Sequence, residues 1–279
     1  MNLTTTIRDP AAGSFGRLLK EGRQFRGLSQ LDLALNCGVS QRHLSFLESG
    51  RARPSRGMAL NLASALGLPL RQQNALLIAA GFAPVFSDRP LDAPGMEPVA
   101  TALRRMLAQQ EPYPAVLVDR AYNLQDANSA AGRLLAFLLD SPPGADGQPV
   151  NLVELLLAPD GLRRSLANWE TAILWLVRRL RAELVMEGGH RGLSELVARA
   201  MARPEISALM AAAPVEADQA PALNLRFERK GQRLEIFSMI ATMGTPLDAT
   251  LQDIRIEFFF PADPETERWF ASGAHDPER

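Results

Sequence analysis

The stretch Leu28–Pro54, LSQLDLALNCGVSQRHLSFLESGRARP, decides how the first third of the chain folds. It contains two short helical patterns on either side of Cys37–Val39. Each pattern opens with Ser-Gln, at Ser29 and at Ser40, which is typical of an N-cap followed by a polar first turn. Gly38 suits the turn between two steeply crossing helices, because glycine readily adopts positive φ. The stretch therefore predicts two short helices joined by a tight turn.

Helical periodicity continues on both sides of this stretch. Ser14 is expected to cap a helix from Phe15 to Arg26, which Gly27 ends. Two further helices are expected to stop at Gly67 and Gly81. The predicted helices span residues 15–26, 30–37, 40–49, 56–66 and 70–80. Five short helices with short links predict an all-α domain over residues 1–83, with its core in residues 12–81.

These residues resemble the phage-repressor or XRE-type helix-turn-helix regulators. The resemblance rests on Arg23, Leu28-Ser29-Gln30, Ala34, Gly38-Val39-Ser40, Leu47-Glu48-Ser49-Gly50 and Arg53-Pro54. It implies that the helix over 40–49 lies in the DNA major groove while the helix over 30–37 crosses the backbone. The alternative is a look-alike segment inside an unrelated helical bundle.

The resemblance assigns roles to individual positions. Gln41, Arg42 and Ser45 stand where the family reads base edges, and Gln and Arg favour adenine and guanine. The residues expected to face phosphates are Gln30, Ser40, Ser49, Arg51 and Arg53, assisted by amides at the start of the helix over 30–37. Phe46 either contacts a thymine methyl or is core. Arg23 and Glu48 match positions that form a structural ion pair.

Charge is distributed unevenly along the 279 residues. The whole chain has a net charge of −1, which by itself argues against a nucleic-acid partner. Residues 1–87, however, contain ten Lys and Arg against four Asp and Glu, a net charge of +6, and the remainder carries −7. A basic first third on an acidic remainder favours DNA as the partner of the first domain.

Other features exclude several classes of protein. Cys37 is the single cysteine, so a disulfide framework or a thiolate metal cluster is not expected, and it stands in an apolar slot typical of core. The three histidines show no ligand spacing, so we expect no metal and no cofactor. No apolar run approaches the ~20 residues that span a bilayer. These features favour a soluble, cytoplasmic protein without membrane contact.

A proline-rich segment over residues 84–97 reads as a semi-rigid linker. Beyond it the pattern predicts a helix over 96–110, strands over 115–119 and 122–127, and a helix over 130–139. Residues 151–212 are helical in character, and three antiparallel strands follow up to Phe260, with Lys230-Gly231 as a hairpin turn. This order predicts a PAS-like α+β domain over 98–265 with a mainly antiparallel five-stranded sheet, followed by a tail over 266–279.

This half resembles the MmyB-like ligand-binding domain found behind XRE helix-turn-helix domains in bacterial regulators. The resemblance rests on Pro114-Ala115, Asn128-Ser-Ala-Ala, Asn151-Leu152, Trp169-Glu170 and Phe258–Pro264. It implies a sensor with an apolar cavity for a small, fatty-acid-like molecule. The candidate ligand contacts are Asn128, Trp169, Ile173, Leu225, Phe227, Ile256 and Phe258, although each could equally be ordinary core. Arg178, Arg179 and His190 are candidates for a ligand carboxylate, with solvated helix-face side chains as the alternative.

The two resemblances together imply a bacterial transcription regulator. We expect a homodimer on a palindromic operator, because one helix-turn-helix makes too few contacts for genomic specificity. One alternative makes the C-terminal domain a dimerisation or protein-interaction module without a ligand. Another is an enzyme fused to a helix-turn-helix, but the C-terminal half shows no Ser/His/Asp order, phosphate loop, HExxH or CxxC.

Overall fold

A computed structural model describes residues 10–144, 147–186, 190–212, 224–244 and 246–272. The chain divides into two compact units. The first contains the chain up to Arg89 with residues 182–191 and 246–252, and the second contains the rest. The boundary at Pro90 falls inside the predicted linker, because the side chain of Asn74 bonds to the backbone of Val85 and Phe86 and so holds the start of that linker in the first unit. The last seven residues of the predicted tail lie outside the described residues.

The first unit contains the five helices that the sequence predicts. They are α1 (Pro10–Phe25), α2 (Gln30–Asn36), α3 (Gln41–Glu48), α4 (Arg56–Ala65) and α5 (Leu70–Ala79). The start of α1 differs most, since the helix begins at Pro10 and Ser14 lies within it rather than capping it, whereas the other ends agree with the prediction to within one residue. Proline is favoured at the first helical position, because its missing N–H has no intrahelical acceptor there.

Local signals and packing agree at the helix-turn-helix. Ser29 and Ser40 cap α2 and α3 as predicted, and Gly38 adopts φ 66° in the turn between them. The helices bury a common core whose fully enclosed members include Phe15, Leu19, Leu33, Leu44, Leu47 and Leu62. Cys37 belongs to this core, where burial raises the pKa of its thiol. Apolar periodicity and capping therefore fix the same arrangement of α2 and α3.

The second unit opens with α6 (Glu97–Gln109) and then alternates strands and helices. Its elements in chain order are β1 (Ala115–Val118), β2 (Leu124–Ala127), α7 (Ser129–Leu138), α8 (Leu152–Leu157), a 3-10 helix (Leu162–Ser165), α9 (Trp169–Met186), α10 (Arg191–Met201), α11 (Pro204–Ala212), β3 (Asn224–Arg229), β4 (Gln232–Thr242), α12 (Ala249–Asp253), β5 (Arg255–Pro261) and α13 (Pro264–Ala271). The C-terminal end of α9, the first residue of α10 and all of α12 except Asp253 are assigned to the first unit. The predicted α+β order is confirmed.

The five strands form one antiparallel sheet with the order β2-β1-β5-β4-β3. Its register sorts side chains between two faces, because neighbouring partners share a face and successive residues alternate. Val116 lies opposite Glu257, and Leu225 lies opposite Ile236. One face packs on α7, α8 and α13, whereas the other packs Ala115, Leu117, Ile254 and Ile256 against α6. Both faces around β1 and β5 are therefore buried.

Two elements near the C-terminus differ from the prediction. The last of the three predicted strands, expected over residues 251–260 from its apolar pattern, begins only at Arg255, because residues 249–253 form α12. The predicted tail from residue 266 instead continues α13, whose Phe270 is buried in the sheet core. Asp263 starts this helix by accepting hydrogen bonds from the amides of Glu265 and Thr266. The α+β domain therefore extends past residue 265.

Within the described residues, we find no helix with the length and apolar character needed to cross a membrane.

Candidate functional sites

One side of α3 is exposed and polar. With about 100° between successive residues, Gln41, Arg42, Ser45, Phe46 and Ser49 fall within a sector of about 140°. Gln41, Arg42 and Ser49 are exposed, whereas Leu44 and Leu47 on the opposite side are fully buried. The predicted base-reading residues therefore share the outward face of one helix, anchored by its apolar side.

Phe46 lies between two guanidinium groups on this face. Arg42 stands 5.4 Å and Arg51 5.9 Å from the centre of its ring, which is within cation–π range. Phe46 is half-buried and packs beside the exposed face rather than in the core cluster. The ring therefore orients two cations along the edge of α3.

A single carboxylate ties α3 to α1 and α2. The guanidinium of Arg23 donates to Glu48 through Nε at 2.6 Å and Nη2 at 3.0 Å, which confirms the predicted ion pair. Gln30 also donates to Glu48, at 2.8 Å. Burial alone would raise the pKa of Glu48, but the hydrogen bonds from Arg23 and Gln30 and the charge of Arg23 hold that pKa below its usual value. The same bond raises the pKa of Arg23.

The residues predicted to face phosphates have different partners in the free protein. Ser40 accepts from the amide of His43 as a helix cap, and Ser49 donates to the carbonyl of Phe46. Arg51 and Arg53 are exposed, but Gln30 is turned towards Glu48.

The backbone and side chains at the first turn of α2 also have hydrogen-bond partners within the protein. Ser29 and Asp32 exchange hydrogen bonds as a capping box, which lowers the pKa of Asp32 through the Ser29 hydroxyl and then the Ser29 amide. An acidic side chain at this turn disfavours a phosphate, so Arg51 and Arg53 are better placed for one than the start of α2.

The second unit contains a partly open apolar cavity of ≈ 90 Å³ between one face of the sheet and helices α7, α8 and α9. Its apolar walls come mainly from Val116, Leu134, Leu135, Leu152, Val153, Leu156, Leu176, Leu225, Phe227, Ile236 and Phe259. This is the arrangement expected of a small-molecule site, with apolar side chains and a few polar groups.

Four polar side chains interrupt the apolar wall of the cavity. They are Tyr122, Arg179, Ser238 and Glu257. Arg179 donates to the hydroxyl of Tyr122 at 2.8 Å, and its guanidinium lies 5.6 Å from the ring of Trp175. Tyr122 is 2% exposed and has φ 64°, which is unusual for an aromatic residue. The apolar wall therefore includes four groups capable of hydrogen bonding, of which Arg179 and Tyr122 are in contact.

The structure places only part of the predicted ligand set at this cavity. Leu225 and Phe227 line it. Ile256 and Phe258 lie on the other face of the sheet, against α6, and do not line this cavity. The side chains alternate along β5, and this puts Glu257 and Phe259 at the cavity instead.

Three further predicted contacts have structural partners. Asn128 accepts from the amides of Ala115 and Ala131 and donates to two backbone carbonyls, so its amide group serves as a cap and a brace. Trp169 donates to the carbonyl of Leu156 and stacks with Arg163. Ile173 is buried in α9. None of the three is among the described residues that line the cavity.

Sequence reasoning missed Tyr122, Ser238 and Glu257 as cavity residues. A signal for Glu257 exists in the alternation of Arg255 and Glu257 with Ile254, Ile256 and Phe258, which shows that β5 has a polar face. Tyr122 lines the cavity and has a positive φ, and the sequence pattern reveals neither property.

The fold and these sites define a helix-turn-helix regulator with an α+β ligand-binding domain. Comparison with known families matches residues 99–272 to the MmyB-like transcription regulator ligand binding domain and residues 19–73 to a helix-turn-helix family. The first match covers more than half of the chain, so the protein belongs to the MmyB-like transcription regulators. The two matched regions are the helix-turn-helix and the ligand-binding domain of a transcription regulator family.

Comparisons with individual proteins add little. No curated protein matches the chain. A solved structure of an RNA-binding light-oxygen-voltage receptor is 12% identical over 94% of this chain and 64% of its own, with a TM-score of 0.29. The chain thus spans less than two thirds of that receptor, and the likeness is too distant to bear on function.

Proposed function

We propose that this regulator is a cytoplasmic homodimer that reads a palindromic operator and whose affinity for DNA depends on a small, largely apolar ligand. The observation that carries the DNA-reading part is the outward face of α3, where Gln41, Arg42 and Ser45 are presented together by a helix fixed through Arg23 and Glu48. Gln and Arg can each bind one base edge through two hydrogen bonds, which gives sequence specificity.

The small number of base contacts that one helix can make supports the dimeric part of the proposal. One α3 reads only a few base pairs, whereas two helices related by a two-fold axis read two half-sites about 34 Å apart. The basic first third supplies phosphate contacts that are independent of sequence, with Arg51 and Arg53 next to α3.

The cavity in the second unit supports a role as sensor. It lies between helices and sheet and is lined almost entirely by apolar side chains, so binding an apolar molecule there removes apolar surface from water and is favourable. Such a ligand changes DNA binding only if it binds one conformation of the protein more tightly than another. Regulation therefore requires the occupied cavity to favour one geometry of the dimer.

Titration of the intact protein with duplex DNA at several salt concentrations tests the DNA-binding part. We expect affinity to fall steeply with rising salt, because cationic side chains release counterions from the phosphates. Binding that is absent at low salt would contradict the proposal.

Native mass spectrometry tests the other two parts in one measurement. We expect a dimer that retains an apolar small molecule under gentle conditions. A ligand-free protein that binds no member of a panel of small apolar compounds would favour the alternative, in which the second unit is a dimerisation or interaction module only.

A further inference from the structure

Helix α9 contains both cavity-lining residues and residues of the first unit. Leu176 and Arg179 line the cavity, whereas the part of the helix from Ala182 to Met186 is assigned to the first unit. Met186 follows Arg179 by seven residues, a rise of about 10 Å along the helix axis. Because the helix is continuous and regular secondary elements transmit displacement, a shift of α9 at the cavity also moves its last turn.

The guanidinium of Arg26 binds the C-terminal end of α9. The last carbonyls of a helix have no intrahelical donor, and Nη1 of Arg26 donates to two of them, those of Val185 at 3.2 Å and Met186 at 3.1 Å. A cation here also meets the negative end of the helix dipole. Val185 and Met186 are 63% and 76% exposed, so burial of their side chains contributes little to this attachment.

The same guanidinium binds the end of α4. Nε donates to the carbonyl of Leu66 at 2.8 Å, and Nη2 donates to that of Gly67 at 2.9 Å. Gly67 leaves room for this approach, because a Cβ there would lie 3.0 Å from Nη2. Arg26 thereby joins two helix ends through one planar group with donors on several sides, which a lysine cannot reproduce.

Arg26 follows directly on α1, three residues after Arg23. Its amide donates to the carbonyl of Gly22, so the helical hydrogen bonding of α1 continues to this residue. Arg23 binds Glu48 of α3, and Arg26 binds the end of α9. One end of α1 is therefore attached to the recognition helix by the first arginine and to α9 by the second.

We propose that α9 couples the cavity to the recognition helix, with Arg26 as the joint between α9 and α1. This inference rests on the proposed sensor function and specifies how the sensor acts on DNA binding. An occupant that displaces α9 moves the carbonyls bound to Arg26 and shifts the end of α1, and Arg23 passes this shift on to α3. Because coupling between two sites is reciprocal, DNA bound at α3 restrains α9 in turn.

Hydrogen exchange followed by mass spectrometry tests the inference with DNA as the probe. The intact protein is compared without DNA and with a saturating duplex that it has enriched from a random-sequence pool. We expect amide exchange in residues 172–186 to slow by at least roughly fivefold on DNA binding, the lower end of ordinary coupling between sites. Exchange in α13, which takes no part in these contacts, should change little and reports any general stabilisation.

Two outcomes with the unaltered protein separate this inference from the proposed function. Unchanged exchange in α9 of the DNA-bound protein, or equal slowing in α9 and α13, would overturn the inference and leave DNA reading intact. A protein that enriches and binds no duplex would overturn the proposed function and this inference with it.

Substitution of Arg26 tests its role as the joint. Arg26→Gln replaces the guanidinium by a shorter amide that cannot reach both helix ends, so we expect the slowing in α9 to disappear while the protein remains saturated with DNA. Arg26→Lys keeps the charge but lacks the planar group, and it should lose most of the slowing. Arg17→Gln, at an exposed position of α1, is the matched control and should keep all of it. Full slowing of α9 in either folded Arg26 variant would contradict the assigned role.

Discussion

Glu48 shows how one side chain can position a recognition helix. Its two oxygens accept hydrogen bonds from Arg23 on α1 and Gln30 on α2, while Glu48 itself ends α3. Arg23 also donates to the carbonyl of Leu28, so the turn before α2 joins the same network. The orientation of α3 relative to both neighbouring helices therefore depends on an ionised carboxylate.

We predict that stability of the first unit falls at acid pH through Glu48. Its pKa is lower in the folded than in the unfolded protein, so its contribution is complete above the ordinary glutamate pKa of about 4.3 and is lost as the pH falls through the lower folded value. Glu48→Gln should cost about 2 kcal/mol of unfolding free energy at neutral pH and flatten this acid dependence. Denaturant unfolding at several pH values checks this. Glu21→Gln, at an exposed position of α1, is the control. Identical dependence of stability on pH in the unaltered protein and both variants would rule out this role of Glu48.

Gly16 allows α1 to approach the end of α3. A Cβ at this position would lie 2.7 Å from the carbonyl oxygen of Leu47 and would also overlap that of Glu48. We predict that Gly16→Ala destabilises the protein by about 1–3 kcal/mol, because backbone atoms cannot move aside easily. Gly57→Ala in α4 meets no neighbouring atom and should stabilise by about 0.5–1 kcal/mol through helix propensity. Thermal unfolding measures the change in stability of both variants. A change of the same sign in the two variants would contradict the close packing of α1 against α3.

Gln41 and Arg42 are expected to carry base readout. Gln41→Ala and Arg42→Ala should each reduce discrimination between a selected operator and a mismatched duplex by about 1–3 kcal/mol. Gln24→Ala and Arg17→Ala, exposed on α1, are matched controls of the same residue types and should leave that discrimination unchanged. Anisotropy titrations with both duplexes measure the difference. Unchanged discrimination in both α3 variants would show that other residues read the sequence.

At the scale of elements, α13 is the clearest addition to the sequence-based account. Its start has a recognisable signal, since Asp263 precedes Pro264 and two glutamates follow in the first turn. No sequence signal shows that α13 is buried, because an eight-residue helix with Trp269 and Phe270 is equally compatible with an exposed tail. Phe270 packs edge-to-face on Tyr113 and Trp269 packs on Phe137, contacts that only the folded sheet creates.

We predict that Phe270→Ala lowers the unfolding free energy of the second unit by about 3–5 kcal/mol, because it leaves a cavity in the core. Met239→Ala, on a side chain that is 59% exposed, should cost far less. Denaturant unfolding followed by tryptophan fluorescence compares them. Near-equal costs would mean that α13 is not part of the core.

Strand β5 shows how much of a binding site can be predicted from the amino-acid sequence. Alternation along residues 254–260 identifies a strand with two different faces, but both faces are buried here, so alternation alone does not tell which one borders a cavity. Register decides it: Glu257 lies opposite Val116, and both point to the side of α7 and α8. For this reason Ile256 and Phe258 lie away from the cavity, whereas Leu225 and Phe227 line it.

At the scale of the whole molecule, the two halves differ in how far sequence predicts them. The helix-turn-helix is specified by local signals, since Ser29, Ser40 and Gly38 mark its caps and turn and the spacing of Arg23 and Glu48 supplies its ion pair. The cavity is a volume left between α7, α8, α9 and the sheet, and no local signal encodes an empty volume.

Selection of duplexes from a random-sequence pool by the intact protein is the most direct test of whether α3 reads DNA as part of a dimer. We expect enrichment of a palindrome whose half-sites lie about 34 Å apart, roughly one turn of DNA, because a two-fold dimer presents two copies of α3. Enrichment should disappear for the Gln41→Ala, Arg42→Ala double variant and persist for the Gln24→Ala, Arg17→Ala control. A pool that stays random after repeated rounds with the unaltered protein, or a single unpaired half-site, would contradict the claim that α3 reads DNA as part of a dimer.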